Sequence, residues 1–390
     1  MTGQSDLPLK FKANKHGPQL QTGLALLGEF CIGMGLLDWV DAFMPKSVRG
    51  AGFKASEYVF PLVLMLNSKG RSLEDIRIIR ENSILRSVLP LKKIPSSDAI
   101  GKWLRRTYDR GGLSFLDKIN KKLLNRALEY DYTENYTLDL GTVVIEAEKE
   151  SAKLTSKGFK GYRPVIGYLN ENNLIVGENF RDGNVDPGLK NLEFCIYCID
   201  QMPPGKTIKR IRGGESSCQA EIINLCYRKG IDFAISSPPD KQVLQAVDSI
   251  SESEWSPYWQ GYIAETDFSF IRTKKAFRII VLKRRYQESF FNRGNIKLKH
   301  TVIATNIKDS AGDILKWYNK ARAHSNNRIN ELKACFGMER MPCGQAGANS
   351  VFFRIGAISY NIYQLFLLKT RPLKNVQFCL SSRSAKISTT

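Results

Sequence analysis

Residues 137–147 read "TLDLGTVVIEA". Thr137, Thr142, Val143, Val144 and Ile145 are β-branched, which is strand composition, and one acid, Asp139, interrupts an otherwise apolar and small-residue run. A carboxylate inside a strand core is costly unless it is paired, bound to metal or placed at the strand mouth. Gly141, a poor strand former, follows two residues later. What Asp139 is for, and what Gly141 stands in place of, decides how the rest of the chain is read.

Downstream, "YRPVIGYL" and "NLIVGENF" are apolar-rich runs separated by the turn "NENN", which predicts an antiparallel hairpin. "PGLKNLEFCIYCIDQM" reads as a helix with Pro187 near its start, and "TIKRIRGG" as a short strand ending in glycines. "ESSCQAEIINLCYRKG" is a helix stopped by Gly230, and "IDFAIS" is another strand. The order β-β-β-α-β-α-β is that of the RNase H-like fold, so the fold class expected is α/β. Between 238 and 310, "GYIAETDFSFI", "KAFRIIVLKRRY" and "KHTVIATNI" predict a β-rich insertion, and helical periodicity returns after 311.

Upstream, residues 20 to 130 carry a helical period. Ser72 with Asp75 approximates a capping box, and "SSD" at 96–98 caps a basic helix that stops at Gly111-Gly112. Short helices joined by tight turns suit small DNA-binding units and plain helical packing alike. The domains expected are 1–130, an N-terminal helical DNA-binding region; 131–237, the first part of the core; 238–310, the insertion; 311–375, the C-terminal helices of the core; and 376–390, a polar tail.

The composition narrows the partners. Of 390 residues, 58 are Lys or Arg and 38 Asp or Glu, a formal charge of +20. That charge points to a polyanion, with nucleic acid the first candidate. Cys195 and Cys198 form one C-x-x-C without a second pair at zinc spacing, and only three histidines are present, so buried free thiols are the expectation. No signal-peptide core and no run of the length a membrane span requires, about 20 apolar residues, is evident. A bacterial cytoplasmic, nucleoid-associated protein is expected.

In RNase H-like nucleases, carboxylates on the first strand, at the end of the fourth strand and on a late helix hold two Mg²⁺ ions about 3.5–4 Å apart. Hard cations take oxygen ligands, which Asp and Glu supply. The corresponding loci here are 137–142, 213–216 and the helix near 322–333.

At these loci the sequence resembles bacterial insertion-sequence transposases of the DDE type, most closely their thirteen-eighty group. The resemblance rests on "TLDLGTVVIEAEKESAKLTSKGFKGYRPVIGYL", "GENFRDGN", "NLEFCIYC" and "NRINELKACFGMERMPCGQAGANSVFFRIGAISYN". On the family's Tyr-Arg-Glu-Lys signature, Arg322 and Lys333 fall on the Arg and Lys positions, Tyr318 lies one residue before the Tyr position, and Asn326 holds the Glu position. Relatives look like "TLDIDAT" on the first strand, which puts the catalytic aspartate at Gly141. The strand that ends "R-x-D-S" in the family ends here in "RGGES", with Gly214 at the aspartate. All three acids implied by the resemblance are replaced.

Asp139 and Glu215 are the neighbouring carboxylates that could substitute, and Asp139 is the one candidate metal ligand. The alternative for Asp139 is a carboxylate at the strand mouth, hydrogen-bonded or partnered by a Lys or Arg. Arg322, Lys333, Arg328 and Arg212 are the candidate nucleic-acid contacts, and "KRRY" at 283–286 is a weaker one. The resemblance implies Mg²⁺ as cofactor, the terminal repeats of a transposon as double-stranded DNA partner, and a homodimer. It implies strand cleavage and transfer as the ancestral reaction, here impaired. A non-enzymatic protein that occupies transposon ends is the alternative.

Overall fold

The computed structural model describes residues 20–45, 52–129, 131–259, 261–287 and 296–370; within these, the side chains of 20–22, 285–287, 296–298 and 321–327 lie outside the described set. Two compact units emerge. The first comprises the described residues up to Leu123, the short stretch Lys149–Ser151, and the described residues from Leu332; the second comprises those of Leu124–Glu148 and Ala152–Glu331.

The first unit is helical. Its elements are α1 (Leu20–Gly33), α2 (Leu36–Phe43), α3 (Ala55–Asn67), α4 (Ile76–Arg80), α5 (Ser83–Val88), α6 (Ser97–Asp109) and the start of α7 (Gly112–Leu128). Gly35 at φ 83° separates α1 from α2, a left-handed conformation that glycine adopts without strain. The expected caps form: Asp75 Oδ2 accepts from the Ser72 amide at 2.9 Å, and Ser96 Oγ accepts from the Ala99 amide at 3.3 Å. Gly111, at φ 70°, ends α6 as its sequence indicates.

The second unit begins with α7's last turn and runs through twelve strands among the described residues: β1 (Asn135–Thr142), β2 (Ile145–Glu146), β3 (Lys153–Leu154), β4 (Lys160–Tyr162), β5 (Val165–Leu169), β6 (Ile175–Asn179), β7 (Thr207–Gly213), β8 (Asp232–Ser237), β9 (Ser256–Tyr258), β10 (Gly261–Phe268), β11 (Phe277–Gln287) and β12 (Ile296–Thr305). Helices α8 (Asn191–Asp200), α9 (Ala220–Lys229) and α10 (Lys241–Asp248) connect them, and α11 (Ala311–Cys335) follows. Nine strands form one sheet in the order β6-β5-β1-β7-β8-β12-β11-β10-β9. Its first five strands have the RNase H-like arrangement: β5 is antiparallel to β1 and β6, whereas β7 runs parallel to β1 and β8 parallel to β7.

One detail differs from the sequence reading. The run 137–147 is not one strand: β1 ends at Thr142, and Ile145–Glu146 belongs to a separate three-stranded sheet, β2-β4-β3. The strands of the insertion continue the core sheet, because β12 pairs antiparallel with β8 through Val302–Thr305 and so covers what would be an open edge.

The last helix among the described residues, α12 (Ala346–Thr370), belongs to the first unit. It is long and apolar enough to cross a membrane, yet 83% of its apolar window is buried inside the protein. Its polar residues face partners there: Ser359 Oγ accepts from Asn67 Nδ2 at 2.8 Å, and Arg354 pairs with Asp117. These contacts make it a core helix of the first unit.

Candidate active site

The parallel register of β1 and β7 sets Asp139 opposite Arg212 and Leu140 opposite Gly213. The next positions along the two strands are Gly141 and Gly214, so these two loci, 73 residues apart in sequence, meet at the carboxyl ends of neighbouring strands. Helix α11 lies over this part of the sheet. Its Ile314, Leu315 and Tyr318 share a buried cluster with Ala234, Ile280, Leu282 and Ile303, and Tyr318 Oη donates to the Gly213 carbonyl at 2.9 Å. The three elements that the fold requires at such a site therefore converge.

At their meeting point is one carboxylate held by two guanidiniums. Asp139 is 4% exposed. Its Oδ1 accepts from Arg212 Nε at 2.7 Å, and its Oδ2 accepts from Arg212 Nη2 at 3.0 Å and from Arg328 Nη1 at 3.3 Å. The fork-to-fork pairing with Arg212 is the strong geometry for a guanidinium and a carboxylate. Arg328, on α11, also donates to the Asn170 carbonyl at 3.0 Å. Arg212 lies 4.3 Å from the centroid of Trp317, which is on α11 eleven residues before Arg328, or about three turns along the same face. Burial raises the Asp139 carboxyl above its ordinary range, and the hydrogen bonds and charges of Arg212 and Arg328 oppose that rise.

The structure thus brings together Asp139, Arg212 and Arg328. Arg212 and Arg328, read from sequence as nucleic-acid contacts, turn their charged ends inward and are 4% and 8% exposed. Glu215 opens a single turn of 3-10 helix, Glu215–Ser217, and is exposed. Lys333 stands in the last turn of α11 and is half-buried. Arg322 and Asn326 lie on α11, but their side chains are outside the described residues. Trp317 and Asn170 complete the surroundings of the cluster, and the sequence alone does not point to either. The available signal was that an acid in a buried strand needs a counter-ion, and that "KRIR" lies on a strand of the same sheet.

The two glycine loci are conformationally ordinary. Gly141 is absent from the left-handed glycines, and Gly214 has φ −82° and ψ −176°, open to any residue. A Cβ built on Gly214 meets nothing within 4 Å. The residues present do not fit a pair of Mg²⁺ ions: Gly141 and Gly214 offer no oxygen side chain, and both Asp139 oxygens are taken by guanidinium donors. Among the described residues, no three His, Cys, Asp or Glu side chains are grouped so as to hold a metal ion. The three cysteines Cys195, Cys198 and Cys226 are buried free thiols, and burial raises each.

In the first unit, α6 presents a basic outer face. Ile100, Trp103, Leu104 and Thr107 are buried, whereas Lys102, Arg105 and Arg106 are exposed. This is the segregation expected of an amphipathic helix that packs on one side and meets a charged partner or solvent on the other.

A family model described as transposase DDE domain group 1 matches residues 8–380 of the chain. No curated protein matches it.

Proposed function

The chain belongs to the DDE transposase family, and on that premise we propose that it binds the ends of a mobile DNA element while its own strand-cleavage chemistry is impaired. The observation that carries this reading is the Asp139–Arg212–Arg328 cluster. Where the family assembles carboxylates around divalent metal, this chain has one buried carboxylate neutralised by two guanidiniums, leaving a local surplus of positive charge. A metal in such a site would supply Lewis-acid stabilisation of the attacking and leaving oxygens. The described donor set does not suit it, because both Asp139 oxygens already accept from guanidinium donors.

The remaining machinery is a binding one. Exposed Lys102, Arg105 and Arg106 on α6 are assigned to phosphate contacts that position DNA without reading sequence. The +20 formal charge supports the same partner through long-range attraction. Arg322 and Lys333 on α11 are further candidates, by their place in the family's signature. A homodimer, one copy for each element end, is part of the proposal.

The test separates binding from cleavage. A supercoiled plasmid carrying the sequences that flank the gene is incubated with the protein and Mg²⁺ or Mn²⁺, and nicking is followed as conversion to open circles. Retention of the flanking duplex without conversion is the expected result. Metal-dependent nicking by the parent chain at those sequences would overturn the impairment, and absence of any DNA retention would overturn the whole reading.

A further inference from the structure

Arg212 and Arg328 are buried around a carboxylate, whereas Arg163 and Arg181 are buried without one. Each of the latter two is 7% exposed. The register that sets Val165 opposite Asn179 continues to a bridge between Tyr162 and Asp182, and the Arg163 amide donates to the Arg181 carbonyl at 2.8 Å. The two arginines therefore stand opposite each other just beyond β5 and β6. Residues opposite each other in an antiparallel pair share a face, and like charges placed so destabilise the pair. The face is the one that α8 covers: Cβ atoms built on Gly167 and Gly177, four residues from Arg163 and Arg181 along the same two segments, would meet Cys198 and Tyr197.

Each guanidinium is partly held and partly unsatisfied. Arg163 Nη2 donates to Ser156 Oγ at 2.6 Å, while its Nε is buried and has no acceptor among the described residues. Arg181 Nη1 donates to Asn191 Oδ1 at 3.0 Å and to the Pro187 carbonyl at 3.4 Å, while its Nη2 is buried and likewise has no acceptor. All of these partners are neutral. Glu193 and Asp186 are the acids whose charge reaches Arg181, but both are exposed, and burial still lowers that guanidinium below its ordinary range. A buried cation whose donors are left unmade is costly, so the arrangement calls for an acceptor that carries negative charge. Asn191 opens α8, and a helix N-terminus favours the same sign. The place is also connected to both glycine loci: the Val143 amide donates to the Pro164 carbonyl at 2.9 Å, and Asn191 Nδ2 donates to the Ser216 carbonyl at 2.8 Å.

We infer that Arg163 and Arg181, at the start of α8, form a binding site for a single tetrahedral oxyanion of the phosphate class. A phosphate group carries several acceptor oxygens, so one such group takes the unsatisfied donors of both arginines, and the planar guanidinium fork suits it. With the anion bound, two like charges that oppose each other across the pair flank a charge of the other sign. The inference does not depend on the DNA-binding reading above. Its chemistry fits a backbone phosphate of nucleic acid and free phosphate alike, and the experiment separates these sources.

The full chain is dialysed to equilibrium against radiolabelled inorganic phosphate, with ionic strength held constant by KCl so that general screening does not change. The parent and Lys229→Gln, which removes an exposed charge at the end of α9, are expected to bind phosphate saturably and with equal affinity. Arg163→Gln and Arg181→Gln are each expected to weaken that binding about tenfold or more, the loss of a charge-assisted hydrogen bond. Arg163→Lys and Arg181→Lys, which keep the charge and lose the fork, are expected to fall between. Circular dichroism checks that each variant is folded, and the lysine variant stands in for a glutamine variant that is not. Absence of saturable binding by the parent would overturn the site, as would parent-like affinity in the folded variants of either arginine. Duplex DNA is then added to the phosphate-loaded parent: release of the label assigns the site to a backbone phosphate, and retention of the label together with the duplex assigns it to free phosphate. A parent that holds phosphate and retains no duplex supports this site and defeats the DNA-binding reading instead.

Discussion

Asp139 and Arg212 face each other across the parallel β1–β7 pair, with Nε to Oδ1 at 2.7 Å and Nη2 to Oδ2 at 3.0 Å, both side chains buried. This pairing joins two strands that the chain brings together only after 73 residues, and Arg328 ties α11 to the same carboxylate. Removing one partner of a buried ion pair leaves an uncompensated charge, whereas replacing the whole cluster by apolar side chains need not be costly.

Asp139→Asn is therefore expected to lower unfolding stability by about 3–5 kcal/mol, since it leaves two buried guanidiniums against a neutral amide. Urea denaturation of the parent and variant measures this. A loss below about 1 kcal/mol would mean that water or another group compensates the arginines.

Arg212→Gln and Arg328→Gln are expected to act on stability and not on DNA contact. Both guanidiniums are spent on Asp139, so the salt dependence of duplex binding is expected to match the parent's at a temperature where the variants remain folded. A slope shallower by about one for either variant would place that arginine on the DNA instead.

Gly214→Asp is expected to be tolerated, with a change in stability within about 0.5 kcal/mol, because φ is −82° and the Cβ direction is open. With Gly141→Asp and Asn326→Glu it is expected to restore Mg²⁺-dependent nicking. None of the three alone is expected to suffice, because a two-metal site works as a unit. A folded, DNA-binding triple variant without nicking would refute the placement of the acids.

Glu178 gives a pH dependence. It lies on β6, is 3% exposed, and burial pushes its carboxyl up to about 8 from an ordinary 4.5. The folded state therefore holds a proton that the unfolded chain releases near 4.5. Its contribution to stability is fully present below that pH and is lost as pH rises toward about 8. Glu178→Gln is expected to flatten the decline, with the variant gaining on the parent from pH 5 to pH 8 in denaturation midpoints. Parallel pH profiles for the two proteins would remove Glu178 as the cause.

Much of the architecture was legible because it is written in local chemistry. The β-branched runs, the "NENN" turn, the caps at Ser72 and Ser96 and the stop at Gly230 each act within a few residues, so they predict the strands, helices and order of the core. Tertiary structure decided what sequence spacing does not encode: that the insertion extends the core sheet through β12 and β8, and that Asp139 meets Arg212 and Arg328. Strand register and helix docking fix those partners, and both depend on packing between segments far apart in the chain. An arginine in "KRIR" has the same composition whether it faces solvent or a buried carboxylate; the register of β7 against β1 selects the carboxylate.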